Sequence, residues 1–273
     1  MGNPVVIVGS GLAGYAVARE LRKLNAEIPI VMISADHGGF YSKPMLSNAL
    51  STGRTPESIL NGDAVQMASQ LKIIIRPHCR VVAIDEPGYA VTLVDGERIF
   101  YDRLVLALGA DQVRLPLLGD GIEKVLTIND LDDYKKFRDA LDGKKRISII
   151  GAGLIGCEFA NDLATTGYHV DVIDISAQPL GRLLPPAGGA FIQQKLEASG
   201  VVFHLNATTQ SVDQMQDHLR ITFANGASIE TDIVLSAVGL RPRTQLAAAA
   251  GIPVNRGIVV NRLLQTQFSN IYA

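Results

Sequence analysis

Two glycine turns carry the chemistry open to this chain: Gly9-Ser10-Gly11-Leu12-Ala13-Gly14 and Gly151-Ala152-Gly153-Leu154-Ile155-Gly156. In a G-x-G-x-x-G turn the first glycine permits a tight bend, the second lets backbone approach a pyrophosphate, and the third lets a helix pack on its strand. The phosphate then sits at the helix N-terminus, where unpaired amide donors and the helix dipole favour an anion. A single turn of this kind can bind nothing. Two copies are less easily a coincidence, because the flanking strand, helix and second strand recur with them. A carboxylate about 20 residues further on can accept hydrogen bonds from ribose hydroxyls. Asp174 ends the run HVDVID in that place, and Ile175 and Ser176 follow it instead of an arginine that could meet a 2′-phosphate. That favours NADH over NADPH; a surface aspartate that merely ends a strand is the alternative. In the first copy the strand ends VMIS, so Ser34 stands where an acid is expected, and Asp36 could serve from two residues later.

Other reactive groups are sparse. Cys79 and Cys157 form no C-x-x-C and no Cys/His set at metal spacing, so the chain holds neither an adjacent dithiol nor iron-sulfur ligands. Both thiols are expected to be reduced, in the cytosol, with Cys157 a small packing residue. His37, His78, His169, His204 and His218 share no spacing and read as structural or surface residues, and no serine stands in a G-x-S-x-G context.

The elements that position these residues form a repeat. Residues 4–8, PVVIV, predict a strand, Tyr15–Leu24 a helix and Ile28–Ile33 a second strand, which together make a βαβ unit. Residues 147–156, ISIIGAGLIG, restate residues 5–14, VVIVGSGLAG, and are followed by a helix pattern over Cys157–Thr166 and a strand pattern over His169–Asp174. Short Val/Ile-rich runs from Leu71 to Ile99 predict an antiparallel meander. Later come a strand at Val201–Leu205 and a hairpin over Leu219–Ile229 turning on Asn225-Gly226. Strands at Leu104–Leu108 and Ile233–Val238 end at Gly109 and Gly239, and SKPMLSNALSTGRTPESILNG reads as loop and broken helices. The expected fold class is α/β: two Rossmann-like three-layer nucleotide-binding domains, each with a small antiparallel meander, over residues 1–113 and 114–240, with 241–273 returning to the first.

Bulk properties agree. The 273 residues suffice for two domains, and 47% hydrophobic residues supply two cores. Lys and Arg number 25 against 27 Asp and Glu, so bulk charge gives no support for binding nucleic acid or an anionic membrane. The start, MGNPVVIVGSG, lacks a basic region and a cleavage-like site, so export is not expected, and Val6 spoils a myristoylation pattern. No apolar run approaches the ~20 residues that span a bilayer.

The first turn, FYSKPMLS, YDRLVLALGA, GAGLIGCEFA, TDIVLSAVGLRPRT and GIVVNRLLQTQFSNIYA occur in this order in pyridine-nucleotide flavoprotein reductases, which the chain resembles from Val5 to Ala273. SKPMLS, GAGLIGCEFANDL and SAVGLRPRT together resemble the members that pass electrons from NADH to rubredoxin. The general motifs are shared with ferredoxin, nitrite and disulfide reductases. The resemblance implies FAD in the first domain, held through Gly9, Ser10, Gly11, Leu12, Ala13 and Gly14, with Ser34 and Ala35 near the adenosine ribose, Val81 near the adenine and Gly109 close to a cofactor. It implies NADH in the second, at Gly151, Gly153, Ile155, Gly156, Asp174 and Gly239. Lys43 and Glu158 are implied at the isoalloxazine ring close to N5. A lysine there stabilises negative charge on the reduced flavin, and a carboxylate beside it keeps the lysine charged and positioned despite burial. On the residues alone, an ordinary loop lysine and an exposed helix glutamate are the alternatives.

The implied reaction is hydride transfer from NADH to the flavin, then release of single electrons to rubredoxin or a similar small iron protein. Members that reduce disulfides or coenzyme A carry cysteine where this chain reads GFYSKP, Gly39 to Pro44, which argues against a thiol relay. A ferredoxin or other iron-protein reductase remains open, as does a dinucleotide-binding fragment or sensor without turnover. The family pattern continues after I-Y-A with a Gly-Asp pair that binds the FAD ribityl chain, then a C-terminal interface domain. The chain is therefore expected to be a truncated member.

Overall fold

Val5, Val6, Ile7 and Val8 form strand β1 (Val5–Val8), and all four are buried, as happens where both faces of a sheet are covered. In the computed structural model, which describes residues 2–273, β1 is followed by helix α1 (Leu12–Leu24), strand β2 (Ile30–Ile33) and, later, strand β3 (Arg103–Leu106). They belong to a five-stranded parallel sheet ordered Ile271–Tyr272, β3, β1, β2, Ile74–Arg76. Val5 and Ile7 pack with Tyr15 and Ala18 of α1 and with Met67 and Leu71 of the helix Ala64–Leu71. Val6 and Val8 pack on the other face with Val91, Leu93 and Tyr101 beside the antiparallel meander Val81–Asp85, Ala90–Leu93, Arg98–Phe100. Alternation along one strand thus builds the three layers.

The second unit repeats this plan. Helix α2 (Leu131–Ala140) precedes strand β4 (Arg146–Ile150), helix α3 (Leu154–Thr165), strand β5 (His169–Ile173) and, later, strand β6 (Ile233–Ser236). The parallel sheet is ordered Val125–Leu126, β6, β4, β5, Val201–His204, so β4 takes the central place that β1 holds in the first. Its meander is Thr209–Gln214, Leu219–Phe223, Ser228–Thr231, and Val212, Leu219, Ile221 and Phe223 pack against Ile150, Ile173 and Val234. Each meander carries an irregularity in its first strand, between Val81 and Ala83 and between Thr209 and Ser211.

By their internal packing, one unit comprises the N-terminal part to Ser42, Leu60–Asp111 and Pro242–Ala273, and the other Lys43–Ile59 and Gln112–Arg241. Several details differ from the sequence expectations. Both fingerprint helices begin earlier, at Leu12 and Leu154, because each is entered directly from the middle glycine. The Leu71–Ile99 stretch is not one meander. Its first run becomes a helix end and the parallel strand Ile74–Arg76, paired with β2. The helices Ala64–Leu71, α2 and Pro186–Ala198 were not expected, nor was the strand Thr209–Gln214 that turns the expected hairpin into three strands. The segment Lys43–Ile59 falls with the second unit, although it lies within residues 1–113.

Candidate functional site

The three glycines of each turn sit in three different environments. Gly9 has φ +114°, and a methyl group there would lie 2.1 Å from the Ala107 carbonyl oxygen; at Gly14 it would lie 1.9 Å from the Gly9 carbonyl oxygen. Both positions exclude a side chain because protein already fills the space. Gly11 has φ −72°, and a methyl group would meet nothing within 4 Å. The second turn matches: Gly151 has φ +112° with Ala237 O at 2.7 Å, Gly156 has Gly151 O at 1.9 Å, and Gly153, φ −74°, has nothing within 4 Å. The flanking backbone bonds match as well. Gly9 and Gly151 N–H donate to Ile33 O and Ile173 O, while Ala107 and Ala237 N–H donate to Val8 O and Ile150 O. Gly11 and Gly153 are helix N-caps without a side-chain capping bond, and neither helix has an acid in its first turn. Each N-terminus therefore offers unpaired amide donors beside open space, the arrangement that takes a pyrophosphate. Leu12 and Ala13, next in the first turn, and Ile155, in the second, are exposed, whereas Ser10 is buried.

The acids that close the two turns are held by the turns themselves. Asp174 follows β5, with Oδ2 accepting from the Ala152 amide at 2.6 Å and Oδ1 from the Ser176 amide at 2.7 Å. In the first unit Ser34 is buried at the end of β2, and Asp36 folds back to it. Ser34 Oγ donates to Asp36 Oδ1 at 2.5 Å; Ser10 Oγ reaches the same oxygen at 3.0 Å and lies 2.6 Å from Ser34 Oγ, and the Gly38 amide donates to it at 2.9 Å. Burial pushes this carboxyl up, but the bonds from Ser34, Gly38 and Ser10 outweigh burial and hold it below the usual carboxylate value. The Asp36 carboxylate is thus fixed beside Ser34, at the end of the strand that follows the first turn. Ala35 is exposed, Val81 is a core residue of the meander, and Gly109 (φ +72°) and Gly239 (φ +117°) are exposed after their strands.

Lys43 opens a 3-10 turn, Lys43–Ser47, in the second unit. It is exposed, where burial was expected, and its Nζ donates to Asn129 Oδ1 at 2.6 Å. Glu158, on the second turn of α3, is half-buried, and its Oε2 accepts from the buried Ser47 hydroxyl at 2.5 Å. One helical turn further on, Asp162 is 2% exposed, and its two oxygens accept from the Leu50 and Ser51 amides at 3.1 and 2.8 Å. Carboxylates at i and i+4 thus face the same way and hold the 43–51 stretch to α3. Asn129, Ser47 and Asp162 were not found from the sequence, since their partners lie 86 to 112 residues away and no local spacing marks them. Cys157 is buried, its Sγ 3.4 Å from Ala152 O, and burial, with Asp174 and Glu158 nearby, pushes its thiol up to about 11. Among the described residues no group of His, Cys, Asp and Glu is arranged to hold a metal.

A profile described as pyridine nucleotide-disulphide oxidoreductase matches residues 3–273. The chain is 48% identical over 278 residues to a rubredoxin-NAD(+) reductase of Acinetobacter baylyi and 43% identical over 272 residues to one of Alcanivorax borkumensis. In both cases 99% of this chain matches 71% of the relative. Among solved structures, a ferredoxin reductase of Rhodopseudomonas palustris superposes with a TM-score of 0.92 at 30% identity, covering 99% of this chain and 67% of that one. A putidaredoxin reductase solved in covalent complex with putidaredoxin gives the same TM-score and identity, over 99% of this chain and 66% of that one.

Proposed function

The chain belongs to the pyridine nucleotide-disulphide oxidoreductase family, and from that premise we propose that it is an FAD-dependent reductase that oxidises NADH and passes electrons to rubredoxin. The observation that carries this reading is the pair of matched turns, in which Gly11 and Gly153 alone leave room where a pyrophosphate would lie. Bound FAD supplies the chemistry, taking a hydride from NADH and releasing the electrons one at a time.

The residues divide this work. In the first unit, residues 9–14 offer amide donors to the FAD pyrophosphate, and Asp36, fixed through Ser10 and Ser34, accepts from the adenosine ribose. In the second, residues 151–156 do the same for NADH, and Asp174 accepts from its ribose while bonded to Ala152. With no arginine at Ile175 or Ser176, nothing there favours a 2′-phosphate. Lys43 would supply positive charge to the bound flavin, and Glu158 holds the turn that carries it through Ser47. On this reading the two domains span about residues 1–113 with 241–273, and 114–240, with Lys43–Ile59 lent to the second.

Rubredoxin as the acceptor is favoured by the 48% and 43% identical relatives over the ferredoxin and putidaredoxin reductases at 30%. A cytoplasmic location fits two free thiols. No helix among the described residues is long and apolar enough to cross a membrane. The test is the absorption spectrum of the purified chain with and without added FAD, followed by NADH. Flavin bands that bleach with NADH, and faster reduction of rubredoxin than of ferredoxin, are expected. No flavin uptake refutes the enzyme reading, and a preference for ferredoxin refutes the acceptor.

A further inference from the structure

Lys43 has a long, flexible side chain, exposed in the folded protein, and holding such a group in one place costs about 2 kcal/mol of rotamer freedom. Its ammonium is met by Asn129 Oδ1 at 2.6 Å, a short bond to a neutral acceptor. Asn129 is itself anchored. Its amide donates to Asp133 Oδ2 at 3.1 Å in the first turn of α2, while the preceding carbonyl, that of buried Ile128, accepts from Gln112 Nε2 at 2.8 Å. The helix behind it is capped by Asp130, whose carboxylate accepts from the Asp133 amide at 2.9 Å. The backbone of Lys43 is anchored separately, through Ser47 to Glu158 and through the Leu50 and Ser51 amides to Asp162. Both ends of the Lys43–Asn129 bond therefore rest on the second unit.

We propose that Asn129 is a positioning residue for Lys43, fixing where the ammonium points. An amide oxygen orients a cation and adds no opposing charge of its own; a carboxylate in the same place would add one. This rests on the reading of Lys43 as the flavin-side cation. Three variants of the FAD-loaded chain separate the two ideas: Asn129→Leu, Asn129→Asp and Lys43→Met. The readouts are the flavin midpoint potential, the kcat and KM for NADH, and the melting temperature.

Asn129→Leu is expected to lower kcat about tenfold, the lower end of what a hydrogen bond to a charged group contributes. KM should stay within twofold, and the midpoint potential should become more negative. Asn129→Asp should also make the potential more negative, and Asn129→Leu should add nothing in the Lys43→Met background. In the cofactor-free chain, acetylation of Lys43 by acetic anhydride, followed by mass spectrometry, should quicken in Asn129→Leu, because the amine is no longer held by its acceptor. If Lys43→Met shifts potential and kcat while Asn129→Leu moves neither, the positioning role is overturned. If Lys43→Met itself moves neither, the flavin-side reading of Lys43 fails, and this inference with it. A fall in melting temperature with unchanged potential identifies a purely structural residue and overturns the proposal.

Discussion

Replacing Gly153 with alanine separates what the ligand demands from what the fold demands. The backbone at Gly153, φ −74° and ψ −174°, suits any L-residue, and a methyl group would meet nothing within 4 Å. Two small effects oppose each other in the folded protein. Alanine restricts the unfolded chain, which stabilises by about 0.4–1 kcal/mol at a compatible site, and it is a poorer N-cap than glycine by up to about 1 kcal/mol. The net is near zero, so the melting temperature should move by no more than about 3 °C. Binding should respond very differently. On the proposed reading the methyl group would stand where a pyrophosphate approaches the first amides of α3, and losing two charge-assisted bonds at about 1.5 kcal/mol each would weaken NADH about 100-fold. Gly156→Ala is the control: its methyl group would lie 1.9 Å from the Gly151 carbonyl, so the helix must shift, at a cost of about 3 kcal/mol or more. Differential scanning calorimetry and NADH titration by calorimetry read both quantities. If Gly153→Ala binds NADH within threefold of the parent chain, the open space at this turn is not the pyrophosphate site and the reasoning fails. Gly11→Ala should likewise lose FAD while keeping its melting temperature.

Asp162→Ala removes a buried acceptor and strands the Leu50 and Ser51 amides, so urea unfolding should show a loss of about 2–4 kcal/mol; a loss under 1 kcal/mol would contradict the clamp. The Asp232 carboxyl is pushed up by partial burial, but bonds from Arg146 and from the Lys145 and Arg146 amides outweigh this and lower it to about 2. Because the folded value lies below the unfolded one, the stabilisation is full above about pH 4 and is lost as the pH falls toward 2. Asp232→Asn should therefore show a flatter stability profile between pH 4 and pH 2 by urea midpoints, and parallel profiles would contradict the assignment. With its thiol raised to about 11 and its side chain buried, Cys157 should resist iodoacetamide at pH 8 in the native protein, while half-buried Cys79 reacts; peptide mapping that finds Cys157 modified first would refute this.

Both glycine turns were legible because a phosphate-binding turn is a local object. Its spacing, its β-branched strand and its following helix lie within about 25 residues, and the second copy repeated them. Asp174 was legible for the same reason. Helices Ala64–Leu71, α2 and Pro186–Ala198 were missed although each carries a local start signal: the Asp63 and Gln66 capping box, the Asp130 cap and Pro186 at the first turn. The run ending at Arg76 was misplaced for a different reason. Its apolar pattern suits either an antiparallel meander or a parallel edge strand, and pairing of Val31, Met32 and Ile33 with Ile74, Ile75 and Arg76 decides between them.

The amino-acid sequence alone determined the repeat, the two turns, the acid that closes the second and the absence of a local dithiol, since each depends on neighbours in the chain. Only the tertiary structure decided that Asp36 is bonded to Ser34 and Ser10, that Gly11 and Gly153 differ from the glycines around them by the space they face, and that Lys43 meets Asn129. Those are contacts between groups brought together by the sheets, and their energies depend on which oxygen lies within about 3 Å of which donor.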